Sequence, residues 1–207
     1  MTGLEKKGTI IIAIALFSSA ICLHASAQTR VSRLAHINKE LNLYRNSSGQ
    51  LRMFDKEVTF PTRNYKQLRL SGEMTLMGSG TYAQICFFSK HKMKSVCAWI
   101  SNASNQIQGV RVQRTEYRRS GNTMLANKND LLVFHYKFNT DTRYSIVFTI
   151  EGSKVTFEIK SPTNVKKSSS GNATGPILIP ATKLYIGPRG AVVGSGLKVE
   201  LTLHGTY

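Results

Sequence analysis

Apolar and polar residues alternate along much of the chain, and a period of two is the pattern of a half-buried β-strand. The clearest examples are Leu132–Phe138 and Leu197–Leu203, where every second residue is apolar. The run Leu68–Leu76 alternates in the same way, and Ser71-Gly72 in its middle predicts a bend or bulge. Together with shorter apolar runs, this alternation predicts about ten to twelve short strands.

Three other segments complete the predicted secondary structure. Tyr144–Ile150 and Val155–Ile159 flank a Glu-Gly-Ser-Lys turn at residues 151–154, which is the strongest hairpin signal in the chain. Apolar residues at helical spacing occur in Ser32–Tyr44, which predicts either a short docking helix or an irregular arm. Ser161–Gly175 has low complexity and lies between strand runs, so it predicts a long mobile loop.

These elements predict an all-β fold, an antiparallel two-sheet jelly-roll sandwich with room for one short N-terminal helix. A chain of 207 residues has the length of one domain. No repeat of about 20 to 50 residues is evident, which argues against a propeller or a solenoid. We expect residues 28–57 to form an N-terminal arm that packs, as part of one domain, on a β-sandwich of residues 58–207.

Residues 1–27 have the organisation of a secretory signal peptide. Lys6 and Lys7 precede an apolar run, and Ala25-Ser26-Ala27 is a small-residue cleavage site. The fully apolar stretch Ile10–Phe17 is much shorter than the roughly 20 residues of a membrane-spanning helix. We therefore expect a mature chain that starts at Gln28, contains no integral membrane segment after cleavage, and is secreted, periplasmic or extracellular.

Removal of residues 1–27 leaves two cysteines, Cys86 and Cys97, in a compartment that permits oxidation. They lie in two strand-like runs joined by a polar, basic connection, so they are expected to face each other in a hairpin. This register also places Gln84 opposite Trp99. Directly opposed residues have Cβ atoms about 4.5 to 5.5 Å apart, which is close enough for a disulfide after slight adjustment. A zinc site and a catalytic thiol are the weaker alternatives.

The chain is strongly basic, with 28 Lys and Arg residues against 11 Asp and Glu residues and a formal net charge of +17. After loss of residues 1–27, 26 basic and 10 acidic residues remain, a net charge of +16. A hydrophobic content of 41% excludes a disordered basic tail. The expected partner is a polysaccharide or an anionic cell-surface component. No nucleic acid is expected, because the basic residues are scattered instead of surrounding stacked aromatic residues. The oligomeric state is left open.

The run Asp141–Ile159, with its apolar alternation around Gly152, resembles the late hairpin of concanavalin-A-like lectin and glucanase jelly rolls. The resemblance extends from about Val58 to the C-terminus and includes the laminin-G-like and alginate-lyase-like branches of that superfamily. It implies a carbohydrate-related function on a two-sheet sandwich.

The catalytic motifs of the enzymes in this superfamily are not intact. Where the lyase branch has Gln-Ile-His, this chain has Gln84-Ile85-Cys86, and its Tyr185-Ile186-Gly187 lacks the lysine of the second lyase motif. His135 or Tyr136 would have to replace the missing base, and Gln84 with Arg69 would have to stabilise the developing enolate. The paired carboxylates of the glucanase branch are also absent from the pattern. We therefore assign no catalytic residue, no metal and no cofactor.

Binding is the better-supported class of function. The predicted hairpin register places Tyr82, Gln84 and Trp99 on one face, and an aromatic ring beside an amide is a common arrangement for holding a sugar. A second candidate is the strand whose alternate residues include Arg111, Gln113 and Tyr117, a row of basic, amide and aromatic groups. A core role for the tryptophan and a solvated strand face are the alternative interpretations.

Three hypotheses follow. The first is an exported carbohydrate-binding or surface-associated module that favours acidic glycans. The second is a polysaccharide lyase or glycoside hydrolase that acts on an acidic polysaccharide. The third is a structural or adhesive envelope protein without a small ligand.

Overall fold

A computed structural model describes residues 29–45, 47–49, 51–53, 56–78, 81–89, 93–102, 108–120, 123–163, 166–173, 181–189 and 195–207. The described residues form thirteen strands: β1 (Val31–Arg45), β2 (Leu51–Met53), β3 (Lys56–Thr59), β4 (Gln67–Met77), β5 (Tyr82–Ser89), β6 (Lys94–Ser101), β7 (Gly109–Ser120), β8 (Thr123–His135), β9 (Arg143–Glu151), β10 (Lys154–Lys160), β11 (Lys166–Asn172), β12 (Ala181–Arg189) and β13 (Gly196–Thr206).

The strands form two antiparallel sheets. One has seven strands in the order β11-β10-β9-β4-β13-β1-β2, and the other has six strands in the order β3-β12-β5-β6-β7-β8. This arrangement confirms the predicted all-β two-sheet sandwich. Within the described ranges there is no helix long and apolar enough to cross a membrane. The expected signal peptide at residues 1–27 lies outside the described residues, so it stays a prediction.

The core lies between the two sheets, and alternate residues of β4, β9, β10 and β13 are among those that fill it. Phe87 of the six-stranded sheet meets Phe148 of the seven-stranded sheet with ring centroids 5.7 Å apart, and Phe148 lies at the same distance from Phe157. All three side chains are fully buried. Burial of each such side chain contributes about 1.5 to 3 kcal/mol, so these contacts hold the sheets together.

Both predicted hairpins are confirmed. Lys154 pairs with Glu151 across the turn that joins β9 and β10, and Gly152 in that turn has a φ of +55°. In the other hairpin Cys86 pairs with Cys97 and Gln84 pairs with Trp99. The registers follow from the period-two alternation, which fixes which side chains face the core.

The helix or irregular arm predicted at Ser32–Tyr44 is wrong, because this segment lies within strand β1, between β13 and β2. The helical spacing has a structural cause. The register with β13 shifts between Arg33 and Ala35, so Leu34 is an extra residue and packs with Ile37 against the core although the two are three positions apart.

The mobile loop predicted at Ser161–Gly175 is also wrong over much of its length. Strand β11 pairs with β10 through all seven of its residues. A Cβ on Gly171 would lie 1.7 Å from the carbonyl oxygen of Leu131 in β8, so glycine permits the two sheets to approach closely here. Lys167 Nζ donates a hydrogen bond of 2.5 Å to the carbonyl of His135 in the same region. Backbone pairing and this close approach therefore order a segment that has no hydrophobic alternation.

Of the bend or bulge predicted at Ser71-Gly72, the bulge is wrong as well. Strand β4 pairs with β13 along its whole length and with β9 from Gln67 to Thr75 without a register shift. Gly72 is still required, since its φ is +146° and a Cβ would lie 2.1 Å from the carbonyl oxygen of Glu200.

Candidate functional site

All six predicted ligand-binding residues lie on one surface, which we call the outer face of the six-stranded sheet. Strand alternation explains this placement. In β5, Ala83 and Ile85 point inward and are fully buried, so their neighbours point outward. The cross-strand registers then align the outward residues of β5, β6 and β7. The six residues are Tyr82, Gln84, Trp99, Arg111, Gln113 and Tyr117.

An aromatic pair with an adjacent amide lies toward one end of β5 and β6, the two middle strands of this sheet. The rings of Tyr82 and Trp99 have centroids 5.9 Å apart and planes inclined at 42°. Gln84 is the direct cross-strand partner of Trp99, and Arg111 is its partner on the other side. All four side chains are partly exposed. Trp99 is therefore not a core residue, and a ligand above it would meet rings, an amide and a guanidinium together.

The predicted disulfide joins Cys86 and Cys97, whose Cα atoms are 4.1 Å apart. Although both cysteines point toward the outer face, they are 0% and 5% exposed. The amide nitrogen of Gln84 lies 3.8 Å from Cys97 Sγ. Cys86 and Cys97 lie two residues along their strands from Gln84 and Trp99. The disulfide therefore holds the strands that carry the aromatic and amide groups in register.

Asp130 organises the polar part of the face, and sequence reasoning missed it. Gln113 Nε2 donates a hydrogen bond of 2.9 Å to Asp130 Oδ1, and Arg111 Nε lies 3.7 Å from Asp130 Oδ2. Asp130 reaches Gln113 because the β7–β8 register shifts between Val112 and Gln113. No local sequence pattern reveals this shift, since it depends on how β8 pairs with a neighbouring strand.

Tyr117 is separated from the other predicted residues. It lies six positions beyond Arg111 on β7, a distance of about 20 Å along an extended strand. Its backbone N–H donates a hydrogen bond of 2.8 Å to the carbonyl of Met93. The structure thus brings Tyr82, Gln84, Trp99 and Arg111 together, places Gln113 beside them, and does not include Tyr117 in the group.

Tyr185 and Phe88 extend the aromatic surface on the other side and were also missed. Tyr185 of β12 is the cross-strand neighbour of Cys86, and its ring meets Phe88 edge-on with centroids 6.4 Å apart. Lys183, on the same strand face, forms an ion pair of 2.5 Å with Glu57. The alternation of buried Leu184 with its neighbours indicates that Tyr185 points outward. That β12 lies beside β5 could not be inferred from that pattern.

The outer face of the seven-stranded sheet has different chemistry. Glu73 of β4 and Glu200 of β13 are directly opposed, and the guanidinium of Arg143 contacts both carboxylates, lying 3.6 Å from that of Glu200. Together with Lys198 and Asn38 they line a shallow depression of about 360 Å³. Sequence spacing missed this carboxylate pair because its members are 127 positions apart in the chain and meet only through sheet pairing.

The combination of Gln84 with Arg69 that the lyase hypothesis required is wrong. Arg69 lies on the outer face of the seven-stranded sheet between His204 and Thr149, so the core separates it from Gln84. Burial raises the pKa of Tyr136, which favours its protonated form and opposes a role as a base. Among the described residues, no three His, Cys, Asp or Glu side chains are grouped as a metal site.

No protein-family model matches this chain, and no curated protein sequence matches it. Solved structures do match. The CBM2 module of the evolved Dit protein of Lactobacillus casei BL23 phage J-1 has a TM-score of 0.52 and 14% identity, over 84% of this chain and 80% of that chain. β-Agarase A in complex with oligoagarose has a TM-score of 0.57 and 7% identity, over 81% and 72%. Peanut lectin has a TM-score of 0.52 and 9% identity, over 87% and 99%.

At these identities the likeness concerns the fold. The chain is a two-sheet sandwich similar to those of a carbohydrate-binding module, an agarase and a lectin, which agrees with the jelly-roll fold that the Asp141–Ile159 hairpin implied.

Proposed function

We propose that the protein is an exported carbohydrate-binding module without catalytic machinery of its own, and that it binds its ligand on the outer face of the six-stranded sheet. The observation that carries the proposal is the partly exposed Tyr82–Trp99 pair with Gln84 beside it. The similar folds of a phage carbohydrate-binding module, an agarase bound to oligoagarose and peanut lectin support it.

The arrangement suits a sugar for three physical reasons. Aromatic rings cover the apolar C–H surface of a pyranose, and amide groups satisfy its hydroxyls. The disulfide and the paired strands fix these groups before the ligand arrives, which lowers the entropy cost of binding. The open surface of a sheet offers a long row of outward side chains, which suits an extended polymer.

A preference for acidic glycans rests on charge. Arg111 is the direct cross-strand neighbour of Trp99, and the chain as a whole carries a net charge of +17. Asp130 lies 3.7 Å from Arg111 and offsets part of its charge at the site. We therefore expect the rings and the amide to provide selectivity, and the net charge to provide a general, salt-sensitive attraction.

The export proposal rests on the organisation of residues 1–27 and is supported by the Cys86–Cys97 disulfide, since such bonds persist in oxidising compartments. It predicts that mass spectrometry of the exported protein finds a chain beginning at Gln28 in which both cysteines resist alkylation until they are reduced. An alkylated, unreduced Cys86 would contradict it.

The binding proposal is tested with a glycan array at low and high salt, followed by titration of the retained glycan with variants. Trp99→Ala should weaken binding by about tenfold to a hundredfold, the range expected for loss of one buried aromatic contact. Gln84→Ala should weaken it by about tenfold. Gln67→Ala is the matched control, because it removes an amide from the outer face of the seven-stranded sheet and should leave binding unchanged.

The outcomes separate the hypotheses. Selective retention that depends on Trp99 supports the binding module. Uniform retention that disappears at high salt would show that charge alone is responsible. Retention of no glycan at either salt concentration would favour the structural or adhesive envelope protein.

A hydrolase that acts on an acidic polysaccharide is the second candidate, and the observation that favours it is the opposed Glu73–Glu200 pair in its depression. Two neighbouring carboxylates are the groups that glycoside hydrolysis requires. Release of reducing ends from an acidic polysaccharide that is abolished in Glu73→Gln would establish this function. Absence of release across the acidic and neutral pH range, with binding intact, would exclude it.

A further inference from the structure

The β7–β8 hairpin extends beyond the rest of the six-stranded sheet. Strand β7 pairs with β6 as far as Glu116, and the N–H of Tyr117 donates a hydrogen bond to the carbonyl of Met93, just before β6. Beyond that point, within the described part of the chain, β7 pairs with β8 alone. All eight residues Thr123–Asp130 are exposed, whereas Leu131 and Leu132 are buried. Residues 117–120 of β7 and 123–126 of β8, which pair with each other, therefore form a projecting two-stranded segment, which we call the ribbon.

The end of the ribbon exposes two large apolar side chains. Met124 is 50% exposed and Leu125 is 55% exposed. Because consecutive strand residues point to opposite faces, one lies on each side of the ribbon. Isolated apolar residues on a surface need no explanation, but two neighbours at the end of a projecting element bury little against this chain and indicate an external partner.

Arginines lie directly across from both apolar residues. Arg119 pairs with Met124, and Arg118 pairs with Leu125. Lys128 adds a third positive charge, and residues 117–129 include no acidic residue. Both faces of the ribbon thus combine an apolar side chain with a guanidinium.

The carboxylates nearest to the ribbon in sequence, Glu116 and Asp130, are engaged at its base. Glu116 accepts a hydrogen bond from Arg114 and lies 3.6 Å from Lys94 Nζ. The Arg114 hydrogen bond holds the pKa of Glu116 below its ordinary value, so this carboxylate is charged and engaged near neutral pH. Asp130 is bonded to Gln113. The end of the ribbon therefore keeps a net positive charge.

We propose that the ribbon docks the protein on an anionic lipid bilayer, with Met124 and Leu125 inserted at the interface and Arg118, Arg119 and Lys128 at the lipid phosphates. Apolar insertion combined with basic residues is the chemistry of peripheral attachment to anionic membranes. A rigid partner surface would cover one face of the ribbon and leave the other apolar residue exposed. A fluid lipid layer surrounds the end of the ribbon and covers both.

This surface is distinct from the proposed sugar-binding face. Arg119, across from Met124, lies eight positions along β7 from Arg111, about 26 Å in an extended strand. Either proposal can fail without affecting the other.

The test is co-sedimentation of the full chain with vesicles of phosphatidylcholine alone and of phosphatidylcholine mixed with phosphatidylglycerol, at low and high salt. The double variant Met124→Ser/Leu125→Ser should lower partitioning onto the mixed vesicles by about tenfold at both salt concentrations, since apolar insertion is not screened. Its matched control is Val31→Ser/Val133→Ser, which removes two exposed apolar residues elsewhere and should have no effect.

The charge contribution needs its own control, because a protein with a net charge of +17 is attracted to any anionic vesicle. Arg118→Gln/Arg119→Gln should lower partitioning at low salt by about tenfold. Lys154→Gln/Lys160→Gln removes the same charge from the two exposed ends of strand β10 in the other sheet and should lower partitioning much less. Equal losses in the two variants would overturn the proposal in favour of overall charge.

A fluorescent label gives a second measurement that does not depend on affinity. Leu125→Cys labelled with an environment-sensitive dye under non-reducing conditions should shift to the blue on mixed vesicles. Val31→Cys with the same label should not shift. A ribbon label that stays in water while the protein sediments with vesicles would overturn the proposal, as would partitioning unaffected by Met124→Ser/Leu125→Ser.

Discussion

On each outer face of the sandwich, two residues of the same type lie directly opposite each other on neighbouring strands. They are two cysteines on one face and two glutamates on the other. On the six-stranded sheet the pair is Cys86 and Cys97, which are joined covalently and almost fully buried. On the seven-stranded sheet it is Glu73 and Glu200, two like charges that would destabilise the sheet without the shared Arg143. One pair fixes its strands permanently, and the other depends on a neighbouring side chain and on salt.

The side chains around the two pairs also differ: those around the glutamates are mainly polar and paired, and those around the disulfide include partly exposed aromatic rings. Several polar side chains of the seven-stranded face pair with one another, as in the 3.1 Å hydrogen bond from Gln67 to Glu151 and the 2.7 Å ion pair of Lys166 with Glu158. A ligand there would have to displace existing pairs. The six-stranded face places partly exposed rings around its disulfide, with Tyr82 and Trp99 on one side. Rings lose water favourably when they are covered, so this face has more to gain from a ligand.

The largest expected effect comes from removing the covalent pair. Cys86→Ala/Cys97→Ala should lower the free energy of unfolding by about 3 kcal/mol, because the bond closes a short loop in the unfolded chain. Chemical denaturation monitored by Trp99 fluorescence measures it. The variant should also bind the glycan more weakly, because the disulfide fixes the strands two residues away from Gln84 and Trp99.

Wild-type protein unfolded in the presence of reductant is the internal control and should match the double variant. An unchanged midpoint in the variant would show that the six-stranded face owes its stability to strand pairing alone, and the contrast between the two faces would lose its basis.

A smaller effect is expected on the seven-stranded face. Arg143→Met should leave Glu73 and Glu200 facing each other and lower the free energy of unfolding by up to about 1 kcal/mol, a limit set by the 64% exposure of the arginine side chain. Adding Glu73→Gln should recover most of this loss, and high salt should reduce it. Urea denaturation of the four members of the double-mutant cycle measures the coupling.

Arg69→Met is the control for this cycle. Arg69 lies on the same face, but the described residues provide no carboxylate partner for it. If Glu73→Gln fails to rescue Arg143→Met, the two carboxylates do not repel each other appreciably. The Glu73–Glu200 pair would then have no stability cost for Arg143 to offset.

The features that were predicted correctly depend on residues that lie close together along the chain. Cys86 opposite Cys97, and with it Gln84 opposite Trp99, follows from two alternating runs joined by one connection. Tyr185 and Asp130 were missed because their positions depend on which strands lie side by side and on a register shift. Strand β11 was missed because a Lys- and Ser-rich segment has no apolar face and is ordered by backbone pairing at the edge of a sheet.

The smallest predicted effect concerns Glu116 of β7, which lies on the side of the six-stranded sheet opposite its outer face. Its pKa is lowered from an ordinary value of 4.5, chiefly by the hydrogen bond from Arg114. A carboxylate whose pKa is lower in the folded state stabilises the fold above its unfolded pKa, and this contribution is lost as pH falls through the folded pKa. Glu116→Gln should therefore be less stable than wild type by under about 1 kcal/mol at neutral pH. The difference should shrink steadily below pH 4.5, as measured by urea denaturation at a series of pH values.

Glu158→Gln, which removes the carboxylate of an ion pair on the outer face of the seven-stranded sheet, provides the comparison. A difference between wild type and Glu116→Gln that stays constant with pH would mean that Glu116 acts through packing and not through charge. The ion pairs of Glu116 with Arg114 and Lys94 would then contribute less to stability than the contacts of Arg143 with Glu73 and Glu200.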